Sequence, residues 1–143
     1  MLAIKHRFIV YNKTGVTLDF MTNVAEIARL IYIGKKPTNT AGINYGPVQT
    51  EVANSDIAPG GTGKLSTIDN TTDQWFALDG VFEVVMDNTS AVGDVVLLRE
   101  TTTSLSAWPS DVADWDPDTD ADVVAVLSLG GAEQKSTNFA VLL

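Results

Sequence analysis

The hydrophobic pattern of this chain breaks into short runs separated by turn-forming residues, and two of those runs dominate it. In 95–100, Val95, Leu97 and Arg99 point to one side of an extended strand while Val96, Leu98 and Glu100 point to the other. Apolar residues on both sides are the pattern of a central, buried strand. Residues 81–86 are apolar except for Glu83. Between the runs, Asp87, Asn88, Thr89 and Ser90 hydrogen-bond locally and favour a turn, and Gly93-Asp94 opens the second strand. The pattern therefore predicts a central hairpin. It stops towards Trp108-Pro109, where proline removes a ladder donor.

Weaker runs fill in the rest. Residues 7–11 read as a strand, Asn12-Lys13-Thr14-Gly15 as a turn, and 16–20 as the returning partner. In 23–33, Asn23 and Glu26 have capping-box spacing, whereas Ile27, Ile31, Tyr32 and Ile33 favour a strand. The strand is preferred, with one short helix near 23–33 as the alternative, and Gly34-Lys35-Lys36-Pro37 is expected to stop either. Residues 38–63 are polar and rich in glycine and proline, predicting short strands within an extended, exposed loop. Strands are expected at 64–68, 123–129 and 139–143, with turns at 70–73, Asp79-Gly80 and Gly130-Gly131. Many short strands divided by turns predict an all-β fold, a single-domain antiparallel β-sandwich or jelly roll over residues 1–143.

Composition narrows the function. A length of 143 residues suits one domain with a substantial core, and the absence of cysteine removes disulfides and thiol chemistry. A net charge of -9 argues against a phosphate-backbone binder, so nucleic acid is not an expected partner. The apolar run 8–11 is too short for a secretory core, and no run approaches the roughly 18–20 residues of a membrane-crossing helix, so no membrane association is expected.

Four features bear on chemistry. Residues 58–65 match a phosphate loop only at Gly63-Lys64: Ala58 stands at the first glycine, Leu65 stands at the magnesium-binding hydroxyl, and no helix is predicted to follow. The acidic run Asp111, Asp114, Asp116, Asp118, Asp120 and Asp122 concentrates oxygen ligands of the kind calcium takes. Counted as an EF-hand from Asp116, however, it puts Ala121 at the turning glycine and Leu127 at the bidentate glutamate. A solvated acidic loop over 107–122 is the better reading, and a metal set of Asp114, Asp116, Asp118, Asp120 and Asp122 the lesser one. Trp75 lies beside Phe76 and Leu78 and reads as core, whereas Trp108 and Trp115 sit in polar sequence and read as interface residues. His6 is the only histidine and has no nucleophile motif, so no catalytic residue and no cofactor is assigned.

Residues 88–100, Asn-Thr-Ser-Ala-Val-Gly-Asp-Val-Val-Leu-Leu-Arg-Glu, lead into Thr101-Thr102-Thr103 and then Trp108-Pro109-Ser110-Asp111. Together with Ser136-Thr137-Asn138-Phe139 before a terminal strand, this sequence resembles segments of small β-rich virion structural proteins of tailed bacteriophages, over the C-terminal half of the chain. The resemblance implies a non-enzymatic capsid decoration or cement protein, or a tail or neck component. Such a protein would be assembled in the host cytoplasm, carried in the virion as a homo-oligomer or in many copies, and bound to capsid or tail subunits. Loops 38–63 and 107–122 would then be contact surfaces. The alternative is a carbohydrate-binding β-sandwich, calcium-assisted, using Trp108, Trp115 and the aspartates.

Overall fold

Alternation at period two builds nine strands among the described residues: β1 (Lys5–Asn12), β2 (Ile27–Pro37), β3 (Ile43–Tyr45), β4 (Gln49–Val52), β5 (Thr62–Asp69), β6 (Ala77–Val85), β7 (Val92–Thr102), β8 (Asp122–Gly130) and β9 (Gln134–Leu142). One helical turn, α1 (Asn70–Asp73), links β5 to β6. The computed structural model describes residues 5–21, 25–38, 40–87, 91–102 and 121–143. All pairings between the strands are antiparallel. The first sheet has the order β5-β1-β7-β8; the second has the order β3-β2-β6-β9, with β4 also paired to β2. The chain is all-β, with the two sheets packed face to face.

The core lies between the sheets. Phe8 and Val10 of β1, Val95 and Leu97 of β7, and Leu127 and Leu129 of β8 enter it from the first sheet. Leu30 and Tyr32 of β2, Leu78, Phe82 and Val84 of β6, and Phe139 of β9 enter it from the second. The Phe8 and Phe139 rings meet across the gap with centroids 6.2 Å apart and planes tilted by 53°, a favourable aromatic geometry. On the outer face of the first sheet, Ile9, Val96 and Leu98 form a second buried apolar cluster. β7 is thus buried on both faces and interior to its sheet, as its sequence pattern predicts.

The central hairpin does not form. β6 and β7 lie in different sheets, so the connection after Met86 crosses from one layer to the other. β8 and β9, joined by a short turn, are split between the sheets in the same way and close one side of the sandwich. A polar turn sequence reverses the chain equally well within a sheet or between sheets; tertiary contacts choose. At the start of β7, Gly93 has φ +122 and lies so close to the 13–14 backbone that an added Cβ would be 3.2 Å from Lys13 O. Glycine is required by that dihedral.

Residues 16–20 do not form the expected return strand. Only Leu18 pairs, in an isolated bridge with Ile57. Asn12 organises this corner. Its Nδ2 donates to Val16 O at 2.7 Å and Ile57 O at 2.9 Å, and its Oδ1 accepts from Thr14 N at 2.9 Å and Thr14 Oγ1 at 2.6 Å. The strand reading of 27–33 holds and the short-helix alternative near 23–33 does not: Ala28, Leu30 and Tyr32 face the core while Ile27, Arg29, Ile31 and Ile33 face outward. Glu26 makes no capping box; its Oε2 accepts from Asp19 N at 2.9 Å. β2 also continues through Gly34 to Pro37, because β3 and β6 pair with its last residues.

Asp79-Gly80 is no turn but the middle of β6, where Gly80 pairs with Tyr32 on one side and Phe139 on the other. A Cβ on Gly80 would lie 2.4 Å from Ile31 O and 2.6 Å from the Phe139 ring. The missing side chain is therefore the space that the phenylalanine occupies. Gly34 serves Trp75 in the same way, an added Cβ falling 2.1 Å from the indole. Trp75 is core, as expected, and Asn70 clamps its backbone through Nδ2 to Trp75 O at 2.8 Å and Trp75 N to Oδ1 at 2.8 Å. Residues 38–63 carry β3 and β4, and Ala53 and Ile57 within them are buried.

Candidate interaction surface

The outward positions of β2 and β6 make the most distinctive surface. Period two places Ile27, Arg29, Ile31, Ile33 and Lys35 outward on β2, and the antiparallel register sets them beside Val85, Glu83, Val81, Asp79 and Ala77 of β6. The centre of this face is apolar. Ile31 and Val81 are direct cross-strand neighbours, Ile33 lies beside them, and the strongly exposed Val48 and Val52 extend the strip towards the β4 edge. Ile31, Ile33, Val48 and Val81 line a shallow groove of about 280 Å³.

Charges bound the strip with a fixed polarity. Arg29 Nη2 lies 2.5 Å from Glu83 Oε1, and Lys35 pairs with Asp79 towards the other end. Both cations stand on β2 and both anions on β6. Gln134 Nε2 of β9 also donates to Glu83 Oε2 at 3.0 Å. Half-buried Ile31, Ile33 and Val81 beside exposed Val48 and Val52, with ion pairs at either end, are the chemistry of a surface that another protein covers.

The outer face of the first sheet carries a smaller hollow of about 160 Å³, lined by Tyr11, Lys13, Asp94, Val96, Val123 and Val126 among others. Lys13 Nζ sits 5.5 Å from the centre of the Tyr11 ring, and Ser128 Oγ donates to Asp94 Oδ1 at 2.7 Å. It is the narrower and more polar of the two surfaces.

Several residues picked out from the sequence fall elsewhere. Trp108 and Trp115, together with Asp111, Asp114, Asp116, Asp118 and Asp120, lie outside the described residues. Asp122 opens β8 with its side chain 76% exposed and its Oδ2 3.7 Å from Arg99 Nη2. Among the described residues, no group of three or more His, Cys, Asp or Glu side chains is arranged to hold a metal. His6 is fully buried on β1. Gly63 and Lys64 belong to β5, so a strand follows the glycines and no helix N-terminus faces them. No helix among the described residues is long and apolar enough to cross a membrane.

One buried carboxyl lies away from both surfaces. Glu26 is only 1% exposed, and burial pushes its carboxyl above the ordinary glutamate value. The Asp19 backbone hydrogen bond opposes that rise, and the Asp19 and Asp87 carboxylates add to it.

Sequence reading passed over Ile31, Ile33 and Val81 as surface residues. The available signal was the unbroken apolarity of 30–33, which requires one of two successive side chains to face away from the core. The chain matches no protein-family model, no curated protein and no solved structure.

Proposed function

We propose that this chain is a non-enzymatic structural component of a tailed-bacteriophage virion, binding repeated protein surfaces as a capsid decoration or cement protein or as a tail or neck protein. The observation that carries this reading is the outer face of the second sheet, where the apolar strip of Ile31, Ile33, Val81 and Val48 lies between two ion pairs on paired strands. A rigid face of this kind presents contacts without first having to order a loop, which lowers the entropic cost of assembly. The resemblance of 88–111 and 136–139 to phage virion proteins supplies the biological setting. Here the activity is assembly, and the substrate is another protein surface.

Purified particles from a host carrying the gene provide the test. Mass spectrometry should find the chain in stoichiometric, multi-copy amounts, and electron microscopy with labelled antibody should place it at regular positions on the head or tail. Particles that lack the chain would reject the proposal.

A further inference from the structure

We infer that the partner covering the outer face of the second sheet is a second copy of this chain, stacked face to face about a two-fold axis that runs parallel to the strands between β2 and β6. This names the occupant of the surface on which the proposed function rests.

The argument is one of charge and symmetry. A two-fold axis along the strands lays β2 of one copy over β6 of the other and keeps every residue at its own level. Arg29 then stands over Glu83 of the second copy, and Ile31 over its Val81, because Arg29–Glu83 and Ile31–Val81 are already level with each other in the ladder. Lys35 stands over Ala77 of the second copy, two residues along the strand from its Asp79, the same offset that the Lys35–Asp79 pair spans within one chain. Arg29 meets an anion, and the centre of the apolar strip, Ile31 with Val81, meets itself, while Val48 and Val52 lie towards β9 of the second copy. An isologous interface requires just this self-complementarity.

The competing two-fold axis, perpendicular to the strands, fails on the same residues. It would lay β2 over β2 with its direction reversed, bringing Arg29 towards Lys35 of the second copy and Glu83 towards Asp79. Like charges brought together in this way are strongly disfavoured at an interface. The separation of sign between strands, cations on β2 and anions on β6, thus selects one arrangement. It also distinguishes a second copy from an unrelated partner of single charge sign, which would be repelled by half of the rim. Sheets packing face to face keep their strands within about 30° of each other, so the side chains stay near these levels.

Sedimentation velocity on the purified full chain at micromolar concentration tests the inference, with circular dichroism to confirm the fold of each variant. The wild-type chain should sediment as a dimer, and Val81→Lys should raise its dissociation constant about tenfold or more. A second variant, Arg29→Glu with Glu83→Arg, reverses the polarity of one pair. It should dimerise with itself, but in a mixed dimer with wild type guanidinium would meet guanidinium and carboxylate would meet carboxylate. Native mass spectrometry of the mixture should therefore find the two homodimers with few mixed dimers. A monomeric wild type overturns the inference, as does a dimer indifferent to Val81→Lys or a statistical yield of mixed dimers. These results are separable from the particle test: a monomer found in virions rejects only the dimer, and a dimer absent from virions rejects only the virion reading.

Discussion

Arg7 and Glu100 stand opposite each other in the β1–β7 ladder and form an ion pair on the outer face of the first sheet, with side chains only 3% and 6% exposed. They sit on the same face as the buried cluster of Ile9, Val96 and Leu98. Two charges withdrawn from water at this depth are tolerable only as a pair, because each alone would keep its desolvation cost without the Coulombic return. Glu100→Ala should therefore cost about 3–5 kcal/mol in unfolding free energy. Arg7→Met combined with Glu100→Leu should recover most of that loss, since well-packed apolar groups replace a buried pair at little cost. Denaturant unfolding of the wild type, the single and the double variant decides it. Equal losses in the single and double variants would mean that packing, not the loss of this ion pair, sets the penalty.

Gly80 gives a second prediction. A methyl at this position would meet the Ile31 carbonyl and the Phe139 ring at well under contact distance, and neither neighbour can withdraw without opening the β2–β6–β9 ladder. Gly80→Ala should destabilise the fold by about 2 kcal/mol or more. Gly15→Ala, where an added Cβ meets nothing within 4 Å, is the control and should be near neutral. A Gly80→Ala protein melting with the wild type would show that β6 can shift in register.

That glycine also marks where the sequence was legible and where it was not. Apolar patterning located β1, β7, β8 and the second half of β9 and pointed to the all-β sandwich, because burial on one or both faces is written directly into side-chain polarity. Asp79-Gly80 misled because the dipeptide is the same whether glycine supplies a turn dihedral or vacates space beneath Phe139. The 86–91 connection misled for a related reason: turn residues encode a reversal but not the layer in which the next strand lands. The apolar strip of Ile31, Ile33 and Val81 was visible as hydrophobicity but not as surface. Which side of β2 faces water depends on where the other sheet packs.

Glu26 makes stability depend on pH. Burial raises its carboxyl above the ordinary glutamate value, so the folded state holds this proton at a higher pH than the unfolded chain does. The contribution of Glu26 to stability is therefore fully present below the ordinary glutamate range and is lost as pH rises through the elevated folded value. Glu26→Gln keeps an acceptor for Asp19 N and removes the charge. It should melt higher than wild type at neutral pH, with the difference shrinking in acid. A variant less stable than wild type at neutral pH would show that the Asp19 hydrogen bond needs the carboxylate.

Asn12 carries the last prediction. Fully buried, it satisfies all the hydrogen-bonding capacity of its amide: two donors spent on Val16 O and Ile57 O, and two acceptances from Thr14. Through Ile57 it ties the corner after β1 to the segment before β5, which its own backbone also holds by Asn12 N to Gly61 O at 3.0 Å and Gly60 N to Asn12 O at 2.7 Å. Asn12→Ala removes all four of these bonds; Ile57 O keeps the bond from Leu18 N and Val16 O the one from Thr14 Oγ1, so the loss falls chiefly on the Thr14 amide and should cost about 1–3 kcal/mol. Asn12→Asp is the sharper test because it is nearly the same shape. It keeps the acceptances from Thr14 but turns an oxygen towards two carbonyl oxygens, so at neutral pH it should be at least as damaging as alanine. Protonation would return one donor, raising the folded carboxyl above its unfolded value, and so part of the lost stability should come back as pH falls. Thermal melting across a pH series separates the possibilities. If Asn12→Asp melts with the wild type at neutral pH, the two carbonyl contacts are not what holds this corner.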